Sequence, residues 1–416
     1  MRLLNVHTLH LEEFHGSGTP SYSILSHTWG KDEVLFQDVL DSTRNSDNET
    51  GRGANRPRPS WGRKKGAHKV IKSAALAAEK GFDYIWIDTC CIDKASSSEL
   101  SEAINSMFKW YSSANLCLAY IADYSIRGSG NLRGGQRRLG DFDKSRWFTR
   151  GWTLQELIAP PEVMFYDQYW ILIGPRTILA PELHGITKID IKLLQGNGLT
   201  CDMPDEMYCL RLFDGLDRFE FNTLRLKGYS VSHKTAWAAS RETTREEDIA
   251  YCLLGIFDIN MPLLYGEGRK AFQRLQKKII KKTNDQSILA FHKHRTAGLL
   301  ARSPRDFVTT RFEFTPIRTI GKSIRWEDDK ITIDLLLCPA RDGDEANKLY
   351  LGILDCLAYD RDADDSKAML MRPAIVLTQS QHMFLAYPLS LKLVWSEMVS
   401  DRPLFSLGND FSRCKL

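Results

Sequence analysis

Residues 143–161 read DKSRWFTRGWTLQELIAPP. This stretch predicts one helix, because Asp143 or Ser145 can cap its first turn and the two prolines at its end stop it. Apolar side chains fall on several sides of such a helix, so we expect it to be buried nearly all round. Glu156 lies within it, and an ionised glutamate there is costly unless another group pairs with it or a cleft keeps it wet.

Glu156 has two interpretations at this level. In the structural interpretation its carboxylate pairs with Arg146 or Arg150 of the same helix, and residue type alone favours this one. In the functional interpretation the carboxylate lines a cleft, where buried acids often take part in chemistry.

Apolar runs alternate with helical stretches along the first part of the chain. The predicted strands, helices and hairpin are, in chain order, 22–30, 67–80, 84–87, 96–111, 116–122 and 162–174. Residues 84–87 are continuously apolar, as expected of a central strand that is covered on both faces. The alternation predicts an α/β fold with a largely parallel sheet.

Candidate site residues stand at the ends of two predicted strands. His27 and Trp29 follow one run, and Asp88 and Cys90 follow the run at 84–87. The carboxyl ends of parallel strands meet at one edge of a sheet, where sites of open α/β proteins usually lie. Each residue also has a structural interpretation, as a histidine bonded to the backbone, a packed tryptophan or a core cysteine.

Two kinds of chemistry fit these residues. Cys90 could be a nucleophile with His27 as its base, although no motif supplies an oxyanion hole. Alternatively, Glu156 and Asp88 could flank a glycosidic bond, with one carboxylate stabilising an oxocarbenium-like transition state at a ribose carbon. Trp29 or Trp152 could then stack on a flat base.

Three blocks of the sequence are long and rich in tryptophan and cysteine. They read SILSHTWG at 23–30, WIDTCCID at 86–93 and RGWTLQEL at 150–157. Together they resemble the signature blocks of the heterokaryon-incompatibility (HET) domain of filamentous fungi. The segments 238–257 and 261–268 resemble the region that often follows that domain, so the resemblance extends to about residue 285.

The resemblance implies a function in vegetative incompatibility, a programmed cell death that follows fusion of unlike hyphae. The HET domain is similar in fold to TIR domains, which implies a TIR- or flavodoxin-like sheet. In TIR domains a helix with Trp and, four residues on, Glu-Leu supplies the catalytic glutamate of an NAD-cleaving activity. Trp152 and Glu156-Leu157 match that pattern. The candidate substrate-binding residues beside a catalytic Glu156 are His27, Trp29, Asp88, Cys90, Arg150 and Trp152.

We therefore expect an effector or regulator of incompatibility that acts as an NAD glycohydrolase, cleaving the nicotinamide–ribose bond. The alternative is a non-catalytic signalling module that works by self-association or partner binding. We expect NAD or a related nucleotide as substrate, no cofactor and no metal site. We also expect a homo-oligomer in the active state and a protein trigger that the sequence does not identify.

The rest of the chain predicts three features outside this site. Residues 42–66 are polar and rich in Gly and Pro, which predicts a mobile insertion in a first domain at 1–175. Basic residues within 52–69 allow a nuclear-localisation or phosphate-binding role, but a solvated insertion is favoured. Residues 176–285 predict helices, clearest at 241–255 and 268–282, and period-two runs predict an all-β module at 286–416.

Composition sets outer limits on the class of protein. The chain has 416 residues with 43% hydrophobic and 26% charged side chains, as in an ordinary globular protein of two or three domains. A formal charge of +4 gives no argument for nucleic-acid binding. No run is apolar enough to span a bilayer or to act as a signal core near the start. Nine scattered cysteines predict reduced thiols, so we expect a cytoplasmic protein.

Overall fold

The structure is a computed structural model that divides the chain into two compact units, Met1–Arg225 and Leu226–Leu416. It describes residues 1–48, 59–128, 139–196, 218–291, 300–307, 312–316, 324–327, 330–333, 335–339, 349–360, 371–380, 383–386, 392–395 and 414–415. The predicted domain boundaries at residues 175 and 285 stay a prediction, because compactness alone does not show which segments fold independently.

Seven strands form one sheet in the first unit. They are β1 (Arg2–Asn5), β2 (Leu11–Glu13), β3 (Ser23–His27), β4 (Tyr84–Trp86), β5 (Leu116–Tyr120), β6 (Val163–Tyr166) and β7 (Leu172–Pro175). Their order is β2-β1-β4-β3-β5-β6-β7, and the four strands from β4 to β6 in this order are parallel. The predicted α/β fold with a largely parallel sheet is confirmed, as is the antiparallel hairpin of β6 and β7.

Helices connect these strands. Those that begin in the first unit are α1 (Phe36–Asn48), α2 (Ala67–Glu79), α3 (Ser97–Ser113), α4 (Arg146–Thr149), α5 (Thr153–Ile158), α6 (Ala180–Thr187), α7 (Ile191–Leu194) and α8 (Arg218–Lys227). As predicted, α2 is closed by Gly81, whose φ of +83° suits a residue without a Cβ atom. The Ser96 hydroxyl caps α3 by accepting from the Glu99 amide at 3.4 Å.

The order of the parallel strands reverses at β3. From β3 the chain passes to β4 on one side and then to β5 on the other, so both are neighbours of β3. Helices that cross over on either side of such a reversal leave a crevice at the carboxyl ends of the strands. Every residue of β3 is buried, which is expected of a strand covered on both faces. A ligand site is therefore expected where β3 ends.

Residues 143–161 do not form the single helix that the sequence predicts. Ser145 caps α4 by accepting from the Trp147 amide at 3.2 Å, but Arg150 is extended, with φ −76° and ψ 130°. The Thr153 hydroxyl lies 2.8 Å from the Arg150 carbonyl oxygen and bonds to it within the break. A side chain thus satisfies a carbonyl that a continuous helix would bond to a later amide. The expected burial is confirmed for α5, which is buried at every residue.

The Arg176 guanidinium holds the carboxyl end of α5. It is fully buried and donates to four carbonyl oxygens, which belong to Leu157, Pro160, Pro161 and Leu194 at 2.7–2.9 Å. Burial lowers the pKa of Arg176 to about 10, so it remains a cation at neutral pH. A cation at the carboxyl end of a helix also interacts favourably with the helix dipole. Arg176 therefore helps to fix the carboxyl end of α5.

The sequence predicts a mobile loop at 42–66, and this prediction is wrong for its ends. α1 continues through residue 48, and residues 60–63 form a 3-10 turn. The Lys64 ammonium donates to Asp38 Oδ2 of α1 at 2.6 Å, which ties the turn to that helix. Residues 49–58 of this segment, including Arg52, Arg56 and Arg58 of the basic run, lie outside the described residues.

The second unit begins with helices, as predicted. They are α9 (Val231–Ala236), α10 (Asp248–Tyr251) and α11 (Lys270–Lys282). The helix predicted at 241–255 is wrong outside α10, because acids of this segment bond to a loop instead. Glu247 Oε1 accepts from the amides of Gly266 at 2.7 Å and Gly268 at 2.9 Å, and Asp248 Oδ1 accepts from the Tyr265 hydroxyl.

Strands dominate the described residues after 311. They are β8 (Phe312–Pro316), β9 (Ile324–Glu327), β10 (Lys330–Ile333), β11 (Leu336–Pro339), β12 (Leu349–Ile353), β13 (Cys356–Asp360), β14 (Met371–Ser380), β15 (Met383–Ala386), β16 (Lys392–Trp395) and β17 (Cys414–Lys415). The all-β module stays a prediction, since much of it lies outside the described residues. The strand pattern predicted from residue 286 is wrong at its start, because Gln286–Leu289 forms a 3-10 turn. No helix in the described ranges is long and apolar enough to cross a membrane.

Replacing Arg176 by methionine should lower the free energy of unfolding by about 3 kcal/mol, because buried carbonyl oxygens lose their donor. Urea unfolding followed by tryptophan fluorescence measures this loss. The matched control is Lys144→Met, which breaks an exposed ion pair with Asp141 and should leave the free energy of unfolding almost unchanged. Similar small losses in both variants would contradict the assigned role of Arg176.

Candidate functional site

The site is built at the end of β3. Successive side chains of a strand point to opposite faces of the sheet, so Ser26 and His27 contact different groups. Ser26 meets α5, because its hydroxyl donates to Glu156 Oε2 at 2.5 Å. His27 lies towards the end of β4, with Nδ1 3.9 Å from Asp88 Oδ1. The strand ends that carry His27 and Asp88 therefore lie near the helix that carries Glu156, as expected.

The Glu156 carboxyl is part of a buried hydrogen-bond network. The Ser26 hydroxyl that donates to it accepts in turn from Trp147 Nε1 at 2.9 Å. Tyr111 of α3 lies beside the carboxyl and donates from its hydroxyl to the Leu25 carbonyl at 3.0 Å. The carboxyl is thus linked to β3 and α3 directly, and to α4 through Ser26.

Burial raises the pKa of Glu156 to about 8. The hydrogen bond from Ser26 and the charge of Arg150 both lower this pKa, while the charge of Asp88 raises it. The outcome follows from the cost of a charge at a site that is only 7% exposed. The carboxyl mostly keeps its proton at neutral pH in this state, and contact with water or a nearby cation would favour its ionisation there.

Trp29, Asp88 and Lys94 form a second cluster beyond the ends of β3 and β4. Trp29 Nε1 donates to Asp88 Oδ2 at 2.7 Å. The Lys94 ammonium lies 3.4 Å from the centroid of the Trp29 ring, which is a cation–π contact. Because Trp29 is 38% exposed, part of its ring remains open to solvent while Lys94 covers another part.

The His27 imidazole is buried beside this cluster. Neither ring nitrogen has a hydrogen-bond partner among the residues that the structure describes. Burial lowers the pKa of His27 to about 4, and the charges of Lys69 and Lys94 lower it further against the opposing charge of Asp88. The ring is therefore neutral at neutral pH and has one N–H donor and one acceptor to offer.

A buried ion pair supports the loop after β3. Lys69 of α2 pairs with Glu33 and also donates to the Thr28 carbonyl at 3.0 Å. Glu33 Oε1 accepts from the Gly30 amide at 2.6 Å, which fixes the backbone next to Trp29. A Cβ at Gly66 would lie 2.8 Å from Glu33 Cα, so this approach requires glycine. Lys69 is thus structural, although the sequence places it in a solvated basic run.

Cys90 is a fully buried thiol. Its contact with Cys91, followed by burial, raises its pKa well above the usual range. A nucleophilic cysteine needs an accessible thiolate, which this setting disfavours. The arrangement favours a packing role for Cys90 over the nucleophile–base pair with His27.

The predicted site residues are only partly brought together. His27, Trp29 and Asp88 are neighbours, and Glu156 is linked to them through β3 and the charge of Asp88. Trp152 is half-buried at the start of α5, and its ring makes none of the described contacts with the others. Across the described ranges, no group of three or more His, Cys, Asp or Glu side chains could hold a metal ion.

Three residues of the site are missing from the set predicted from sequence, namely Ser26, Trp147 and Lys94. Ser26 lies inside the block at 23–30, and its place one residue before His27 puts it on the opposite face. That alternation is a signal that could have been used. Lys94 directly follows the block at 86–93, but its burial against Trp29 has no signal in the sequence.

A parallel sheet with polar and acidic residues at its carboxyl edge defines an α/β protein with a ligand site of the open-sheet kind. Residues 22–138 match the family described as Heterokaryon incompatibility protein (HET). This stretch of the chain is therefore similar to a HET domain, and the predicted resemblance to fungal HET-domain proteins is confirmed. The match includes the residues from His27 to Lys94 and ends before Glu156.

One curated relative adds to this assignment. The chain is 40% identical over 263 residues to "Vegetative incompatibility protein HET-E-1" of Podospora anserina. The alignment covers 62% of this chain and 16% of that relative, so the chain spans a small part of the relative's length. No solved structure matches the chain.

The buried Glu156 carboxyl predicts a pH-dependent contribution to stability. The folded pKa of about 8 exceeds the ordinary value of 4.5, so the contribution is complete below about pH 4.5 and is lost as the pH rises through about 8. Relative to Glu156→Gln, the wild-type unfolding free energy should fall by about 1.4 kcal/mol per pH unit within this window. Urea unfolding of both proteins from pH 5 to about pH 9 tests this, and a constant difference would contradict it.

Cys90 should react slowly with thiol reagents in the native protein, because its thiol is buried and protonated. Peptide mapping after timed alkylation, in buffer and in urea, measures the protection. Cys90→Ser should mainly lower stability. Rapid stoichiometric labelling of native Cys90 would instead indicate an accessible thiolate.

Proposed function

We propose that this chain acts in vegetative incompatibility of a fungus, as an effector or regulator of programmed cell death. The family match at residues 22–138 supports the proposal, as does the similarity to a protein named for vegetative incompatibility. Because the chain spans 16% of that relative, the proposal concerns what this region contributes.

The proposed activity is TIR-like hydrolysis of the nicotinamide–ribose bond of NAD, with Glu156 as the catalytic residue. Two features support the comparison with TIR domains. The parallel strands, numbered in chain order, lie in the spatial order second, first, third and fourth, as in flavodoxin-like sheets. Trp152 and Glu156-Leu157 have the spacing of the TIR catalytic helix.

The position of Glu156 carries this proposal. Its carboxyl is held by Ser26 at the strand reversal, where the fold leaves a crevice for a ligand. In the reaction the bond between ribose C1′ and nicotinamide breaks, nicotinamide leaves with the bonding electrons, and water adds to C1′ and releases a proton. An ionised Glu156 would stabilise the positive charge that develops on the ribose, and such stabilisation is stronger in a buried site.

This chemistry requires Glu156 to lose its proton and meet its substrate. The nicotinamide ring of NAD is cationic, and a cation beside a carboxyl lowers the carboxyl pKa. Glu156 is buried in this state, so the proposal includes an opening of the site on activation. Self-association is the proposed trigger for this opening, in keeping with the oligomer expected from sequence.

The test is release of nicotinamide from NAD by the purified full chain, alone and in a crowded or artificially oligomerised form. Glu156→Gln should reduce the rate about a hundredfold or more, because the amide cannot balance a developing positive charge. Glu182→Gln is the matched control, since Glu182 is an exposed acid on α6 of the same unit, and it should keep the full rate.

The pH profile separates catalysis from folding. If the free protein must be ionised at Glu156, kcat/KM should rise with pH through about 8 and then level off. Full nicotinamide release by a well-folded Glu156→Gln protein would overturn the catalytic assignment.

The second candidate function is a non-catalytic signalling module that self-associates or binds a partner. The observation that favours it is the neutral, buried state of Glu156, which suits a structural hydrogen bond between β3 and α5. In this case a well-expressed Glu156→Gln protein should kill cells on overproduction as the wild type does. With a catalytic Glu156, the same protein should be folded and non-toxic.

A further inference from the structure

Lys94 is a half-buried lysine whose shielded ammonium makes no hydrogen bond within the described residues. Its Nζ atom is shielded from solvent, and no acceptor lies within hydrogen-bond reach in the described ranges. An ammonium has three N–H donors, and burying such a group without acceptors is unfavourable. Burial accordingly lowers the pKa of Lys94, although the charge of Asp88 opposes this effect. The contact with the Trp29 ring compensates the charge only in part.

The polar groups around Lys94 differ in whether they have hydrogen-bond partners. The Lys69 ammonium forms an ion pair with Glu33 and donates a hydrogen bond to the Thr28 carbonyl. One oxygen of Asp88 accepts from the Trp29 indole. The His27 ring is 6% exposed and has no described partner at either nitrogen. Lys94 and His27 are therefore the two buried groups of this cluster with donors to offer.

We propose that Lys94 and His27 form an oxyanion subsite that binds the diphosphate of a nucleotide. The identity of the ligand rests on the proposed function. An ammonium and an imidazole N–H together supply donors for several oxygens, and a doubly charged group offsets the loss of hydration of Lys94.

The arrangement along the sheet edge suits such a ligand. Trp29 lies beyond the end of β3 and contacts Asp88, whereas Glu156 bonds to Ser26 within β3. In a dinucleotide the diphosphate stands between the distal base and the ribose whose glycosidic bond breaks. A base on the exposed part of Trp29 and a ribose carbon at Glu156 would therefore place the diphosphate between them, in the region of Lys94 and His27.

Two neighbouring side chains, Asp88 and Trp29, make binding of an anion here less favourable. The Asp88 carboxylate repels it, although the indole N–H already bonded to Asp88 moderates this charge. The Trp29 ring covers part of the Lys94 ammonium, so the ring has to shift when the anion arrives. Trp29 is thus a positioning residue that covers Lys94 while the subsite holds no anion.

Isothermal titration calorimetry of the full chain with inorganic pyrophosphate and with ADP, at constant ionic strength, tests the subsite. Lys94→Met keeps the aliphatic stem and removes the charge, so both probes should bind about tenfold more weakly. Lys94→Arg, which keeps the charge, should recover part of the affinity. The matched control is Lys31→Met, because Lys31 is an exposed lysine near the same loop, and it should change affinity by less than about twofold.

The outcomes separate this inference from the proposed hydrolysis. Equal affinities in the wild type and folded Lys94→Met, or no wild-type binding of either probe at millimolar concentration, would overturn the subsite. Nicotinamide release with an unchanged KM in Lys94→Met would also overturn it while leaving hydrolysis in place. If pyrophosphate binding depends on Lys94 but no nicotinamide is released, the subsite is supported and the proposed NAD hydrolysis is contradicted. Thermal unfolding of each variant confirms that it is folded.

Discussion

A carboxyl placed inside a protein must either keep its proton or be given partners for its charge, and the first unit is arranged around such a group. Ser26 of the central strand bonds to Glu156, and Trp147 bonds to Ser26. This bond brings α5 close to β3, and residues 143–161 form two helices rather than one. The chain breaks at Arg150, and Arg176 then binds the carbonyls at the far end of α5.

The same carboxyl supports two functional interpretations, and they differ by one proton. As a neutral acid, Glu156 is a structural link between a strand and a helix, which suits a signalling module. As a carboxylate, it is a concentrated negative charge in a poorly solvated place, which suits stabilisation of a ribosyl cation. A pKa of about 8 lies close enough to neutrality that an opening of the site or a bound cation can change the state. Burial thus makes Glu156 responsive to its surroundings.

At the carboxyl ends of β3 and β4, next to Glu156, some polar groups have partners within the protein and others do not. The pair of Lys69 and Glu33 fixes the loop after β3, so the neighbouring backbone has a rigid support. Lys94 and His27 lie against this support with donors that the described protein groups do not use. Rigid surroundings with a few unpaired polar groups are typical of binding sites, because the ligand then supplies the missing partners. The family match at residues 22–138 covers this edge, whereas Glu156 lies beyond it.

The sequence by itself determined the α/β fold class of the first unit and which residues are candidates for a site. Continuous apolar runs such as β4 and the punctuation at Gly81 are local signals, so strands, helices and their alternation can be predicted. Polar residues at strand ends also made His27 and Asp88 candidates, and the resemblance to TIR domains added Glu156. Only the tertiary structure decided that residues 143–161 form two helices, that Ser26 is the partner of Glu156 and that Lys94 is buried against Trp29. These facts depend on contacts between residues far apart in sequence, and on burial, which sets a pKa that no residue type fixes alone.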